Sequence, residues 1–203
     1  MVVRNRLAGQ LVGVLYDAMS GNALQQKSSF LENKLNQQIT SPVLTLIDDP
    51  FVKSGYGSRL YDDDGLAAKR RVMIDKGILK DYYIDYYYSK KLETKPTTGD
   101  SSNLVFELGK ESEAELVKKL QKGILVTNFI GGNSDVVTGD FSFGITGLYV
   151  EDGKIVKPVN EMNISGNMKD LMMQLVAVGN DPNPYSSWQC PSMYFKDVQF
   201  SGL

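Results

Sequence analysis

Histidine is missing altogether from these 203 residues, and cysteine occurs once, as Cys190. The first absence removes Ser-His-Asp triads, Cys-His dyads and every zinc site that needs an imidazole. The second removes intrachain disulfides, which fits a reducing, cytoplasmic setting. No apolar run is long enough for a secretory leader or a membrane span. A basic excess is also lacking: 22 Lys and Arg stand against 24 Asp and Glu, a net charge of −2. That balance speaks against a nucleic-acid partner, since phosphate binding needs a basic field. The basic runs Lys69-Arg70-Arg71 and Lys90-Lys91 are short, sit among acidic neighbours, and read as solvated surface.

What is present is ordinary globular composition, 42% hydrophobic and 23% charged, in a chain long enough to bury a core without staples. Leu7, Leu11, Val14 and Leu15 recur at helical spacing and predict a helix over 4–19, stopped by Ser20-Gly21-Asn22. Residues 28–39 read as a short helix or turn, 43–47 as a strand, and 52–67 as a long loop rich in Gly and Asp. A hairpin follows, with 71–74 rising, Asp75-Lys76-Gly77 turning and 78–84 returning. Residues 86–92 read as helical and 103–108 as a strand. Ser112 followed by Glu115 is a capping box opening a helix over 112–121, and 124–127 is a strand. Residues 140–160 form a strand–turn–strand unit about Glu151-Asp152-Gly153. A helix over 167–178 and a closing strand over 193–200 complete the chain. The expected class is α+β, a mostly antiparallel, barrel-like twisted sheet with about four short helices.

Four features invite functional readings. Gly131, Gly132, Thr138, Gly139, Asp140 and Ser142 lie where a Gly-rich loop meets a strand. They read either as a peptide-cleft wall presenting backbone to an extended substrate, or as a bulge or tight turn the sheet requires. Asp62-Asp63-Asp64-Gly65 could bind a cation through its carboxylates, but lacks the wider spacing of a calcium loop and reads as a solvated turn. The tyrosines at 82, 83, 86, 87 and 88 suit half-buried packing or a protein interface better than base stacking. Cys190, with no histidine to activate it, reads as a buried, inert thiol.

Several segments in order resemble the C-terminal domain of the PmbA/TldD family, once described as modulators of DNA gyrase. They are SGNALQQKSSFLENKLNQQI, LTLIDDP, GSRLYDDDGLAAKRRVMIDKGILKDY, and above all GILVTNFIGGNSDVVTGDFSFGITGLYVEDGKIVKPVNEMNISGN, followed by MKDLMMQLVAVGNDP and SSWQCPSMYFKDVQFSG. The resemblance implies one domain over 1–203, with the family's N-terminal half outside these residues. Its TldD branch carries an HExxxH zinc motif and a later Cys ligand; its TldE/PmbA branch does not. An approximate register puts Val12, Gly13 and Asp17 where a TldD has its motif. The resemblance therefore implies a non-catalytic TldE/PmbA-like subunit with no catalytic or metal residues of its own. Zinc would come from a TldD-like partner, peptides would be the substrates, and the pair would act in peptide maturation and degradation. A homodimer is a further expectation, and no membrane or nucleic-acid partner is expected. Two alternatives stand beside it: a gyrase-modulating interaction module, and a stand-alone peptidase with a carboxylate-bound metal.

Overall fold

The computed structural model describes residues 1–202. The chain opens with a two-residue strand β1 (Val2–Val3) and the helix α1 (Asn5–Ala18), then α2 (Gly21–Gln25). Next come β2 (Leu46–Asp48), the hairpin β3 (Arg71–Asp75) and β4 (Ile78–Leu79), α3 (Tyr86–Lys91), β5 (Leu104–Phe106) and α4 (Glu113–Lys118). Three long strands follow, β6 (Lys122–Ser134), β7 (Asp140–Glu151) and β8 (Lys154–Asn167). The chain closes with α5 (Met168–Met173), β9 (Leu175–Val178) and β10 (Met193–Phe195).

The strands form two open sheets. One is six-stranded in the order β8-β7-β6-β1-β10-β9, and the other four-stranded in the order β4-β3-β2-β5. Every pairing is antiparallel except β1 with β6. The mixed class and the antiparallel bias are as expected, but the barrel is not. Among the described residues β8 and β9 end the large sheet on opposite sides and do not pair, so the sheet stays open.

Period-2 alternation explains how the large sheet is covered on both faces. Val3, Ile124 and Val126 point into the main core with α1, whereas Val2 and Leu125 point the other way, onto Leu116, Val117 and Leu120 of the α4 segment. Strand β7 does the same along its length: Phe141, Phe143 and Ile145 join the main core and Val150 the smaller one. Helix α1 buries Ala8, Leu11, Val12, Val14, Leu15 and Ala18. Its cluster also takes in Leu46, Met73, Ile74, Leu79, Leu104 and Phe106, so the small sheet shares the same core. Arg71 ties this sheet down, bonding Asp81 at 2.9 Å and Asp48 at 3.4 Å while stacking over the buried Tyr83 ring.

Several sequence-predicted boundaries shift, each for a local reason. Ser20 does not merely stop α1; its side chain accepts from the Ala23 N–H and caps α2, a fifth helix. Of the two readings of residues 28–39, helix or turn, the turn holds, with Asn33 and Asn36 at positive φ. The helix expected over 167–178 ends after one and a half turns because Leu175–Val178 pairs with β10. The strand expected over 193–200 stops at Phe195, after a register break beside Tyr194. The strand expected over 124–127 instead runs from 122 to 134 and contains the Gly131-Gly132-Asn133 stretch. Both tight hairpins use the same chemistry, a two-residue turn with positive φ at Lys76-Gly77 and at Asp152-Gly153.

Candidate functional site

The six cleft candidates fall into two neighbouring groups on the β6–β7 hairpin. At the tip, Asp135 N–H donates to the Asp140 carbonyl and Gly139 N–H to the Asp135 carbonyl, both at 2.8 Å. Thr138 Oγ1 donates to Asp140 Oδ2 at 2.9 Å. Asn167, the N-cap of α5, donates through Nδ2 to Asp140 Oδ1 and to the Thr138 carbonyl, each at 2.9 Å. Those bonds hold the exposed Asp140 carboxyl below the usual carboxylate range, Asn167 contributing most and Thr138 next. The loop is anchored below by Phe30, whose N–H donates to the Val136 carbonyl at 2.9 Å. A Cβ on Gly139 would meet the Phe30 ring at 3.3 Å, so glycine lets the two segments close.

The second group is a β-bulge. The β6–β7 register breaks between Ile130 and Asn133, and Gly131 and Gly132 sit there at φ of +64° and +108°. A Cβ on Gly132 would lie 2.2 Å from the Ser142 carbonyl oxygen, which brings Gly132 and Ser142 together. The Ser142 hydroxyl accepts from Asn163 Nδ2 at 3.0 Å. Ser142 itself is paired on both sides, to Asn133 and to Ser165. Here β7 is the central strand, flanked by β6 and β8, and on the β8 side Asn163 exchanges two backbone bonds with Ser201 at 2.7 and 2.9 Å. Asn163 and Asn167 are the functional-looking residues that sequence reasoning missed; an Asn before a helix is a capping signal, but its second set of partners is visible only in three dimensions.

The helix that the family register singles out offers a zinc ion one usable side chain, a lone carboxylate at Asp17. Val12 is 1% exposed in an apolar core, Gly13 has no side chain, and Asp17 is an exposed carboxylate whose partial desolvation raises its pKa. Cys190 does lie against this helix, its Sγ 3.9 Å from where a Cβ on Gly9 would stand. Its thiol is 1% exposed, and burial pushes its pKa up to about 12, so it stays protonated. Trp188 fills the same space, 3.7 Å from a Cβ position on Gly13, with its ring edge-on to Tyr16 at 5.1 Å. Tyr16 packs in turn on Tyr83 at 4.8 Å. The residues present do not fit the metal of a metallopeptidase.

The tyrosine run divides. Tyr83 is buried in the core and Tyr82 half-buried, its hydroxyl donating to the Leu31 carbonyl at 2.7 Å. Tyr86 and Tyr87 are exposed, each with a lysine ammonium 4.8 Å from its ring centre, Lys90 and Lys91 one helical turn on. Asp62 departs from the solvated reading: it is 6% exposed, while Asp63 and Asp64 stay in solvent. Among the described residues, no three carboxylate or thiol side chains converge tightly enough to grip a bare metal ion.

The family model of the PmbA/TldA metallopeptidase C-terminal domain matches residues 1–202. The chain belongs to the PmbA/TldD metallopeptidase family. The metalloprotease PmbA of Escherichia coli O157:H7 is 33% identical over 204 residues, covering all of this chain and 45% of that protein. A Bacteroides thetaiotaomicron crystal structure, described as a modulator of DNA gyrase, superposes with a TM-score of 0.98 at 48% identity, over 100% of this chain and 46% of that one. TldE from Thermococcus kodakarensis superposes with a TM-score of 0.87 at 26% identity, over 99% of this chain and 49% of that one. The chain thus spans under half the length of the PmbA relatives it matches. No helix among the described residues is long and apolar enough to cross a membrane.

Proposed function

We propose that this chain is the C-terminal domain of a TldE/PmbA-like subunit that contributes binding surface, but no catalytic group, to a TldD/TldE-type zinc peptidase of the cytoplasm. One observation carries the reading. The helix and cysteine that would hold the metal in a TldD are here filled by Val12, Gly13, a protonated Cys190 and the Trp188 ring. A zinc site needs several deprotonated, correctly spaced N, S or O ligands, and this helix presents a single carboxylate, Asp17, beside apolar packing. Hydrolysis would then depend on a TldD-like partner that brings the zinc. The β6–β7 hairpin, with Thr138 and Asp140 at its tip and the Gly131-Gly132 bulge behind, is the surface we assign to the wall of a peptide cleft. Gly131, with open space where a Cβ would stand, leaves backbone within reach of a passing chain there, and the bonds among Asp140, Thr138 and Asn167 brace the tip.

The test is to purify the chain alone and together with the TldD-like protein of the same host, then measure zinc by elemental analysis and cleavage of an unfolded peptide. Zinc and cleavage in the complex, with neither in the lone chain, is the expected outcome. Stoichiometric zinc or chelator-sensitive cleavage in the lone chain would overturn the proposal. Asp140→Ala in the complex should raise KM for the peptide while leaving the zinc content unchanged.

A further inference from the structure

The core-facing side of the large sheet carries an open groove beside the β7–β8 hairpin. Its floor comes from the three long strands and one wall from the tail of the chain, around a space of about 590 Å³. Ile124 on β6 pairs with Tyr149 on β7, and Tyr149 with Lys157 on β8, so these side chains stand in one row on one face. Lys122 lies on the same face, two residues before Ile124. Val159 and Met162 complete the floor, and Val198 and Phe200 form the wall. Ile124 belongs to the main core, while those four pack against it only half-buried, so the core's apolar surface runs on into the groove. No backbone-to-backbone hydrogen bond holds residues 197–200 among the described residues; the wall rests on its side chains and on the pairing of Ser201 with Asn163.

The charged groups of the groove are of one sign. Lys122 and Lys157 line it and no carboxylate does. Neither lysine forms an ion pair among the described residues. They stand two strands and two residues apart, a Cα separation of about 12 Å, which lets two flexible ammonium arms meet over one ligand. Tyr149 lies between them, its hydroxyl donating to Glu151 Oε1 at 3.4 Å. An adjoining hollow of about 290 Å³ shares Lys122, Val198 and Phe200. It adds Lys196 and the Glu111-bound Lys119 against a single carboxylate, Asp197. In a chain of net charge −2, this is a local apolar surface with a cationic rim.

We propose that this groove binds a small carboxylate with an apolar tail, of the medium-chain alkanoate class. The tail lies on Ile124, Val159 and Met162, and the head between Lys122 and Lys157. Small-ligand sites are concave, mostly apolar and about 300–1,000 Å³ in volume, with a few polar groups that fix orientation, and the groove has each of these features. A peptide fits it less well. The floor strands spend their backbone groups on one another, so an extended chain laid across them would leave its own amides unpaired, whereas an alkyl tail has none to satisfy. Phosphate sites draw on guanidinium forks or on N–H groups at helix starts, and no arginine or helix start lines this groove. The site uses none of the residues assigned above to a peptide cleft and does not depend on the peptidase reading.

The test titrates the whole chain with decanoate, below its micellar concentration, and follows isotope-labelled methionine methyl groups by NMR. Met162 is the one methionine that lines the groove, and Met162→Leu assigns its signal. That signal should shift saturably, while the signal of Met73, buried in the small sheet, stays in place. Lys122→Gln and Lys157→Gln alter exposed side chains, so the fold is kept. The double variant should bind decanoate about tenfold more weakly or worse, the loss expected when a charged partner is removed. Decyltrimethylammonium, with the same tail and the opposite charge, should bind at least about tenfold more weakly than decanoate for the same reason. Acetylated trileucine with a free carboxylate should also bind more weakly; tighter binding would make the groove a peptide site and overturn the assignment. The absence of a saturable Met162 shift, equal affinity in the wild type and the double variant, or no preference for decanoate over its cationic analogue would each overturn it too.

Discussion

Two adjacent glycines in the β6–β7 bulge make unequal demands, and substituting each by alanine separates backbone strain from steric exclusion. Gly131 has φ +64° and open space where its Cβ would be. Alanine there meets only the left-handed backbone cost of about 1–2 kcal/mol, partly offset by the lower entropy of the unfolded chain, for a net loss near 1 kcal/mol. Gly132 has φ +108°, and its Cβ would stand 2.2 Å from the Ser142 oxygen and 2.8 Å from Phe143 Cα. Both obstacles are backbone atoms of the central strand of a three-strand ladder, so neither can swing aside as a side chain would. To the backbone cost is added an overpacking cost of about 1–3 kcal/mol, for a total near 2–4 kcal/mol. The two variants should thus differ by about 1–3 kcal/mol, or roughly 2–12 °C in Tm for a chain of this size. Urea unfolding of both, with m unchanged to show that the unfolded states match, is the assay. Variants agreeing within about 0.5 kcal/mol would show that the bulge relaxes freely and that Gly132 is not held against Ser142.

Three further outcomes follow from the same geometry. Arg71→Ala should cost about 3–5 kcal/mol by urea unfolding, because it leaves Asp48, whose side chain is 3% exposed, without its cation and with only the Ser102 N–H and hydroxyl on its other oxygen. Cys190, with its thiol pKa pushed up to about 12, should react with a disulfide reagent at pH 8 only as the chain unfolds; prompt stoichiometric labelling of the native protein would contradict its burial. Asp140 is held below the usual carboxylate range by Asn167 and Thr138, so its contribution is complete above the ordinary carboxylate pKa and lost as pH falls through the lower folded value. Between pH 7 and pH 3 the wild type should therefore lose more Tm than Asp140→Asn.

Local chemistry was legible and long-range company was not. The capping box at Ser112 and Glu115 forms as the spacing predicts, with both reciprocal bonds in place. Helix α1 and the two acidic-Gly hairpin turns are likewise written into a few neighbouring residues. Strand β6 outran its prediction because Gly131 and Gly132 read as a loop, whereas pairing with β7 beyond the bulge carries the strand through them. The reverse happened after Met173: residues 174–178 continue an apolar pattern, but an open edge of β10 claims them for the sheet. In both places tertiary pairing overrides a weak local preference.

The same division governs the candidate residues. That Asp62-Asp63-Asp64 is acidic is plain from the chain, yet only the fold sets Asp85 and Asp100 beside it and buries one carboxylate of the three. In α1 the absence of histidine is plain, but the reason the helix tolerates Gly9 and Gly13 is not. Two glycines in a helix interior each cost about 1 kcal/mol relative to alanine. Here they stand one turn apart on a single face, and Trp188 and Cys190 lie against it at 3.7 and 3.9 Å from the vacant Cβ positions. Residues 188–190 thus pack onto the helix along this glycine face. A side chain longer than alanine at position 13 must displace the Trp188 ring, whose Nε1 is tied to Ser101 at 3.0 Å. Enlarging either glycine would then require rebuilding Trp188 and its partners as well, so the helix keeps Gly9 and Gly13 for what packs on them despite their cost to helix propensity.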